Sequence, residues 1–230
     1  MSTYNFLGLV NDVNRTLNEV ELTESTFATA IGFYSTVKDA VNESIRGINY
    51  EQFEWPFNHV LQEEVLVVDQ TRYSLPNDVK TVDLDSFRVK YDETLGSNTA
   101  KLKIISYEEY LSTYLDQEYN VTNGYKGVPD TVFRTPNMQF GIVPAPDKAY
   151  NIAYEYYRLP VDLDAATDIP TVPDAFRHVI RNGALYHAYM FRGDLDSAAL
   201  SLKKYEDGIK NMRTIFINRY EQARSHVIQR

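Results

Sequence analysis

The chain lacks cysteine altogether and has only four histidines among its 230 residues. Without cysteine there can be no disulfide, no thiolate nucleophile and no zinc or iron–sulfur site ligated by sulfur. The histidines are scattered, and none has a carboxylate partner at the spacing of a helical zinc site. They are His59, His178, His187 and His226. We therefore expect neither a metal nor a cofactor.

Sequence motifs of catalysis are also missing. The ten glycines form no dinucleotide-binding or phosphate-binding loop, and no serine lies in a nucleophile elbow. Asp162, Asp164 and Asp168 lie close together, but their segment lacks the glycine and the terminal glutamate of a calcium-binding loop. The sequence thus predicts a protein that is not an enzyme.

Long apolar runs are absent as well. No stretch of about 18 apolar residues is present, so we expect no membrane span. The N-terminus has neither the basic region nor the apolar segment of a secretory signal. These features predict a protein that stays in the cytoplasm of the cell that makes it.

Positive charge is scarce, because 23 Lys and Arg stand against 32 Asp and Glu for a net charge of −9. A general nucleic-acid clamp is disfavoured, since it needs a basic face to replace counterions on phosphates. Residues 203–230 depart from this balance with seven basic and three acidic side chains, a net charge of +4 that leaves −13 for residues 1–202. This basic end is either a solvated helix face or a docking surface.

Both ends of the chain have the three-and-four apolar spacing of amphipathic helices. One helix is predicted over residues 4–20, with Phe6 and Val20 at the limits of its apolar face, and a second over residues 27–48. Residues 171–230 predict a helical hairpin that begins near Pro173. Gly193 would end its first helix and Asp194 would cap the second.

The segment between these helices alternates with the period of two that is typical of strands. Residues 64–75 predict a β-hairpin with its turn at Asp69-Gln70, and Ser106 with Glu109 predicts a short capped helix near residues 107–116. The predicted fold class is α+β. A discontinuous helical bundle, residues 1–58 and 165–230, would carry an inserted antiparallel β-sandwich, residues 59–164.

Tyrosine is abundant, with 18 copies. Strands account for many of them, but not for those in the C-terminal hairpin. Tyr186, Tyr189 and Tyr205 lie on that hairpin, one face of which already meets the core. We therefore predict that these three side chains contact a neighbouring chain.

Several short motifs follow one another between the two helical ends. They are Trp55-Pro56-Phe57, Tyr73-Ser74-Leu75-Pro76-Asn77-Asp78, Gly127-Val128-Pro129, Pro144-Ala145-Pro146-Asp147 and Tyr156-Tyr157-Arg158-Leu159-Pro160. In this order they resemble the head-to-tail connector or adaptor proteins of tailed bacteriophages, the group that includes tail tubular protein A. The resemblance covers most of the chain.

This resemblance implies a structural virion protein of the neck or tail, made in the host cytoplasm. It implies a dodecameric ring between the portal protein and the tail nozzle protein, through which DNA passes during ejection without specific binding. In this group the C-terminal segment commonly engages the portal. The residues to which that role transfers are Arg213, Arg219, Tyr220, Arg224 and Arg230.

Two other interpretations stay open on the sequence alone. A different head-completion or tail-completion protein belongs to the same virion-building class. A carbohydrate-binding tail component would use the aromatic residues of the sandwich. Trp55 is a poor candidate for a sugar site, because Pro56 beside it marks a junction where a packing role is favoured.

Overall fold

The computed structural model describes residues 3–52, 54–92, 98–119 and 125–216 of the chain. These residues form two compact units. The first comprises the described residues up to Asn58 and from Pro160 onward, and the second is His59–Leu159. Residues 160–164, which the sequence pattern groups with the strands, lie with the helices. Asn42 holds them there, because its side chain bonds both the backbone oxygen (2.9 Å) and the backbone nitrogen (3.0 Å) of Leu163.

The first helix, α1 (Phe6–Thr16), is capped by Asn5, whose side-chain oxygen accepts a hydrogen bond from the Gly8 backbone nitrogen at 2.9 Å. Its apolar face is buried as predicted, but the helix ends earlier than residue 20. Asn18 has φ of 56°, and Val20 is 74% exposed. The left-handed residue turns the chain away before Val20 can join the core.

The second predicted helix is in fact two helices, α2 (Glu24–Phe27) and α3 (Phe33–Glu51). The break falls at Gly32, which has φ of 63°, and it leaves Ile31 82% exposed. Glycine adopts this left-handed conformation without the steric penalty that other residues meet. The apolar period from Phe27 to Ile31 therefore does not belong to one continuous helix.

The C-terminal hairpin begins and turns at the predicted residues. A 3₁₀ turn (Asp174–Phe176) leads into α6 (Arg177–Arg192), and α7 (Leu195–Phe216) returns antiparallel. Gly193 ends α6 in the left-handed conformation, with φ of 77°. The Asp194 carboxylate accepts a hydrogen bond from the Ser197 backbone nitrogen at 3.1 Å and caps α7.

Small residues let α6 approach its neighbours closely. A Cβ atom at Gly183 would lie 2.2 Å from Ser44 Oγ of α3 and 2.7 Å from a ring carbon of Tyr205 on α7. The Ser44 hydroxyl in turn donates to the Ile180 backbone oxygen at 2.9 Å. The core of this unit thus forms around α6, where side chains of α1, α3 and α7 meet.

The described residues of the second unit form ten strands and two short helices. The strands are β1 (His59–Val65), β2 (Arg72–Ser74), β3 (Val79–Asp92), β4 (Asn98–Lys101), β5 (Lys103–Ile104), β6 (Lys126–Gly127), β7 (Thr131–Arg134), β8 (Gln139–Val143), β9 (Ala145–Pro146) and β10 (Asn151–Arg158). Two four-stranded sheets result, in the orders β1-β10-β3-β4 and β2-β8-β7-β5, while β6 and β9 pair separately. Pairing is antiparallel except between β5 and β7 and between β6 and β9.

Aromatic rings from both four-stranded sheets form one core. Phe87 of β3 lies 5.1 Å from Phe140 of β8 and 4.7 Å from Tyr154 of β10, measured between ring centroids. Because β3 and β10 belong to one sheet and β8 to the other, the sheets face each other as a sandwich. The predicted α+β fold class is confirmed.

The predicted β-hairpin over residues 64–75 is wrong. β1 pairs with β10, with Glu63 opposite Ala153, whereas β2 pairs with β8, with Tyr73 opposite Phe140. The chain does turn at Asp69, whose φ is 66°. That turn carries the chain from one sheet to the other, because strand alternation in a sequence does not specify the pairing partner.

The predicted helical insert appears as α4 (Tyr107–Thr113) followed by α5 (Leu115–Tyr119). The Ser106 hydroxyl accepts from the Glu109 backbone nitrogen at 3.1 Å, which confirms the predicted cap. Tyr110 is fully buried and stacks on Phe133 of β7 at 4.0 Å between centroids. The insert is therefore a packed part of the β-rich unit.

Candidate protein interaction surfaces

Large apolar side chains stand exposed along the α6–α7 hairpin. The exposed fraction lies between 46% and 65% for Met190, Phe191, Leu195, Leu200 and Ile215. The other face of the hairpin is buried in the helical core, through residues such as Ala184 and Met212. Exposed apolar side chains are candidate sites of contact with another chain.

The turn end of the hairpin is braced by an aromatic and ionic cluster. The Phe191 ring lies 6.0 Å from that of Phe33 at the start of α3, and the Arg192 guanidinium lies 4.3 Å from the Phe33 ring centroid. Arg192 also forms an ion pair with Glu19, in the loop after α1. These contacts fix the position of the Phe191 side chain, although it is exposed.

The three tyrosines predicted at a subunit interface differ in their surroundings. Tyr205 donates its hydroxyl to the Ser44 backbone oxygen at 2.9 Å, and burial raises the pKa of this phenol well above its ordinary value. Tyr189 is half-buried against the helical core, and Tyr186 is half-buried with its ring 4.9 Å from that of His187. Tyr205 therefore joins helices within the chain, and all three tyrosines keep part of their surface accessible.

Of the predicted portal-docking residues, Arg213 is the one among the described residues, and it lies in α7. Arg213 donates to the Glu51 carboxylate at 2.9 Å and to the Glu51 backbone oxygen, which ties α7 to the end of α3. Arg219, Tyr220, Arg224 and Arg230 lie outside the described residues. The geometry therefore defines only the start of this basic segment.

That start is anchored by four aromatic rings. Phe216, the last residue of α7, lies 6.1 Å from Trp55, 5.6 Å from Phe57 and 5.3 Å from Phe176 between centroids. Trp55 is fully buried and donates its indole nitrogen to the Ile48 backbone oxygen at 2.8 Å. Trp55 has the packing role predicted for it, and it contacts the last described residue of α7.

A groove of about 480 Å³ lies between α3 and α6. Its walls include Asp39, Glu43 and Arg46 of α3 and Phe191 of α6, with Asp162 at one end. The groove is not evident from the sequence, because its lining comes from three separate parts of the chain. The signal that was available is the spacing of the three charged α3 residues, which places them on one helical face.

The groove carries net negative charge. Arg46 donates to Asp162 (2.9 Å from Nε) and to Glu43 (2.8 Å), and these carboxylates raise the pKa of the guanidinium. Burial lowers the pKa of His187 in the wall, which favours its neutral form. One cation thus faces three carboxylates, since Asp39 also lines the groove.

The polar residues do not assemble into a metal centre within the described ranges, since no group of three potential ligands occurs there. His59 lies 3.1 Å from Glu155 on the exposed side of the β1–β10 pair, away from any third ligand in that part of the chain. Nor does any described helix combine the length and apolarity required to cross a membrane.

The described residues thus form a helical unit and a β-sandwich that expose apolar and charged side chains. Comparison with protein families identifies the class of this protein. The family model described as SU10 adaptor protein matches residues 4–229. The chain belongs to the SU10 adaptor protein family. No curated protein matches it significantly.

Membership of this family gives the chain the role of a structural adaptor of a bacteriophage, a component of the virion neck. The resemblance to phage connector and adaptor proteins is confirmed at this level. An adaptor binds other proteins, and the exposed apolar and charged side chains on this fold are suited to such contacts.

Proposed function

We propose that this protein is the subunit of an adaptor ring between the portal and the tail nozzle of a tailed bacteriophage, as in the group that includes tail tubular protein A. The ring, a dodecamer by that resemblance, surrounds the channel through which DNA is ejected. The observation that carries this proposal is the match to the adaptor family over residues 4–229. The exposed apolar residues of the α6–α7 hairpin supply surface for contacts with other chains.

The negative charge of the chain suits a channel for DNA. Residues 1–202 carry a net charge of −13. Acidic side chains along a channel repel phosphates, so DNA passes without adhering to the wall. DNA would therefore pass through the assembled ring without binding to it specifically.

The C-terminal segment is the proposed portal-docking element. Phe216 and Arg213 fix the end of α7 on the helical unit. The segment that follows from residue 217 carries Arg219, Arg224 and Arg230, with Tyr220 between the first two. Arginine pairs with carboxylates through two parallel hydrogen bonds, so these residues suit an acidic surface of the portal.

Removing the docking segment tests this assignment. A chain ending at Phe216 keeps the aromatic anchor, so we expect a native circular dichroism spectrum and little change in Tm. Binding to purified portal is expected to be lost. Wild-type portal affinity in the truncated chain would contradict the assignment.

A charge-matched comparison separates the arginines from general electrostatics. R219A/R224A/R230A removes three positive charges from the segment, and K101A/K103A/K148A removes three from exposed positions in the β-rich unit. Portal affinity should fall in the first variant and stay near wild type in the second. Equal losses in both would indicate a nonspecific charge effect.

A further inference from the structure

β1 is a long strand at the edge of its sheet. Within the described residues it pairs with β10 on one side and with no strand on the other. The strand has seven residues and, with the segment that follows it, exposes large apolar side chains. The exposed fraction lies between 47% and 60% for Leu61, Val65, Val67 and Val68. An edge strand of this length and apolarity is a template on which a further strand can pair.

The backbone groups that face the open edge follow from the β1–β10 ladder. The Leu66 backbone nitrogen, directly after β1, donates to the Tyr150 backbone oxygen, directly before β10, at 2.8 Å. Backbone groups of successive residues in a strand point to opposite sides, so those of Glu64 also face β10. The backbone groups of Leu61 and Glu63 therefore point to the open edge.

Two polar groups near this edge lack a partner. Burial raises the pKa of the Glu64 carboxyl, and within the described ranges Glu64 forms no ion pair, whereas Glu63 binds Lys90 Nζ at 2.6 Å. Tyr154 of β10 is fully buried, and its hydroxyl has no hydrogen-bond partner among the described residues. Burial and, second, the charge of nearby Glu64 raise the pKa of this phenol. A cation added at this edge would neutralise the Glu64 carboxylate and remove part of the cost of burying it.

The local charge determines which kind of strand fits. Residues 59–69 contain three acids, Glu63, Glu64 and Asp69, and no Lys or Arg. A second copy of β1 would bring like charges together, which disfavours its pairing here. An inward-pointing charge on an edge strand likewise disfavours apolar or acidic strands. A strand that alternates apolar side chains with lysine or arginine meets neither barrier.

We infer that β1 binds an extended segment of a partner protein as an added strand, and that this segment alternates apolar residues with Lys or Arg. Its backbone pairs with the groups of Leu61 and Glu63 that face the open edge. Its apolar side chains pack beside Leu61 and Val65 on the outer surface of the sheet. A basic side chain pairs with Glu64 on the opposite surface, since successive side chains of a strand alternate between the two. The site uses none of the portal-docking residues, so it does not depend on the proposed ring.

A synthetic peptide tests this site in the full chain. The probe is a fluorescently labelled peptide that alternates valine and lysine over about seven residues, the length of β1. One control alternates valine and glutamate, and a second has the valine–lysine sequence with methylated backbone nitrogens, which cannot donate. Fluorescence anisotropy should show saturable binding of the probe and binding on the order of tenfold weaker, or less, for both controls. Hydrogen exchange of the amides in residues 59–65 should slow when the probe binds.

Variants of the chain locate the bound peptide. L61P removes a backbone donor at the open edge without removing a bond of the β1–β10 ladder, so it should abolish binding. L61A keeps that donor and should retain part of the affinity. E64Q removes the carboxylate and should weaken binding of the valine–lysine peptide on the order of tenfold. E24Q, at an exposed acid of the helical unit, is the matched control and should bind as the wild type does. Circular dichroism checks that each variant is folded, and E64Q tests the site even where L61P does not fold.

Each other outcome would overturn the site. Wild-type affinity in E64Q, or equal binding of the lysine and glutamate peptides, would show that Glu64 does not select a basic strand. The absence of saturable binding to the wild-type chain would also overturn it. Self-association of the wild type that L61P abolishes, without peptide binding, would assign β1 to contacts between copies. Portal binding should be unchanged in E64Q, so loss of peptide binding with portal binding intact bears on this site and leaves the proposed function standing.

Discussion

The Tyr205 hydroxyl of α7 donates a hydrogen bond to the Ser44 backbone oxygen of α3, with 2.9 Å between the two oxygens. Ser44 also donates through its side chain to Ile180 of α6. The backbone and side chain of one serine therefore link three helices. Tyr205 therefore helps to hold the α6–α7 hairpin on α3. We assign the exposed face of this hairpin to contacts between chains.

Loss of the Tyr205 hydroxyl should destabilise the isolated protein. Y205F removes a single partly buried hydrogen bond, so we expect the free energy of unfolding to fall by about 1 kcal/mol. Y50F is the matched control, since Tyr50 is 68% exposed, and it should change stability by less than about 0.5 kcal/mol. Urea denaturation measures both. An unchanged Y205F midpoint would show that the bond contributes nothing to the fold.

Alkaline pH should weaken the fold through the same side chain. Burial raises the pKa of Tyr205 above the ordinary value of about 10, so the folded state favours the neutral phenol. The resulting stability is complete below about pH 10 and is lost as pH rises through the higher folded-state pKa. The urea midpoint should therefore decrease more between about pH 8 and about pH 11 for the wild-type protein than for Y205F. Parallel pH dependences would refute this role.

At Gly183, α6 lies so close to α3 and α7 that a methyl group should not fit. Alanine favours helix over glycine by about 1 kcal/mol, but its Cβ would lie 2.2 Å from Ser44 Oγ and 2.7 Å from the Tyr205 ring. Overpacking costs about 1–3 kcal/mol, so we expect G183A to be destabilised in thermal unfolding. G127A is the control, because the nearest atom to its Cβ would be 3.8 Å away. A stabilised G183A would contradict this packing.

The β-rich unit should fold when expressed alone as residues 59–159. Its central rings, Phe87, Phe140 and Tyr154, contact one another within this segment. A cooperative thermal transition and dispersed amide signals in nuclear magnetic resonance are expected. F140A in the same fragment should lose about 3–5 kcal/mol, since it removes a fully buried ring. Noncooperative melting of the unaltered fragment would show that it is not an independent domain.

The features that sequence predicts well are local ones. The hairpin turn was predictable because Gly193 and Asp194 each have a role that depends on neighbouring residues alone. The cap at Ser106 was predictable for the same reason. Apolar periodicity likewise placed Ile152, Tyr154 and Tyr156 on the buried face of β10.

Features that depend on distant partners were missed. Strand alternation near residue 65 did not reveal that β1 pairs with β10, some ninety positions along the chain. Gly32 broke a helix that periodicity alone extended across it. The groove between α3 and α6 was not predictable, because residues far apart in the sequence line it, including Asp39, Asp162 and Phe191. Tyr205 lies in the apolar stripe of α7, but only the fold shows its bond to Ser44.

Electron microscopy of the full chain bound to its portal would show where the subunits assemble. We expect a closed ring of copies stacked on the tail-facing side of the portal, with the channel continuous through both. The segment after Phe216 should contact the portal. Single copies bound to the portal, or a ring located elsewhere in the particle, would refute the proposed adaptor ring.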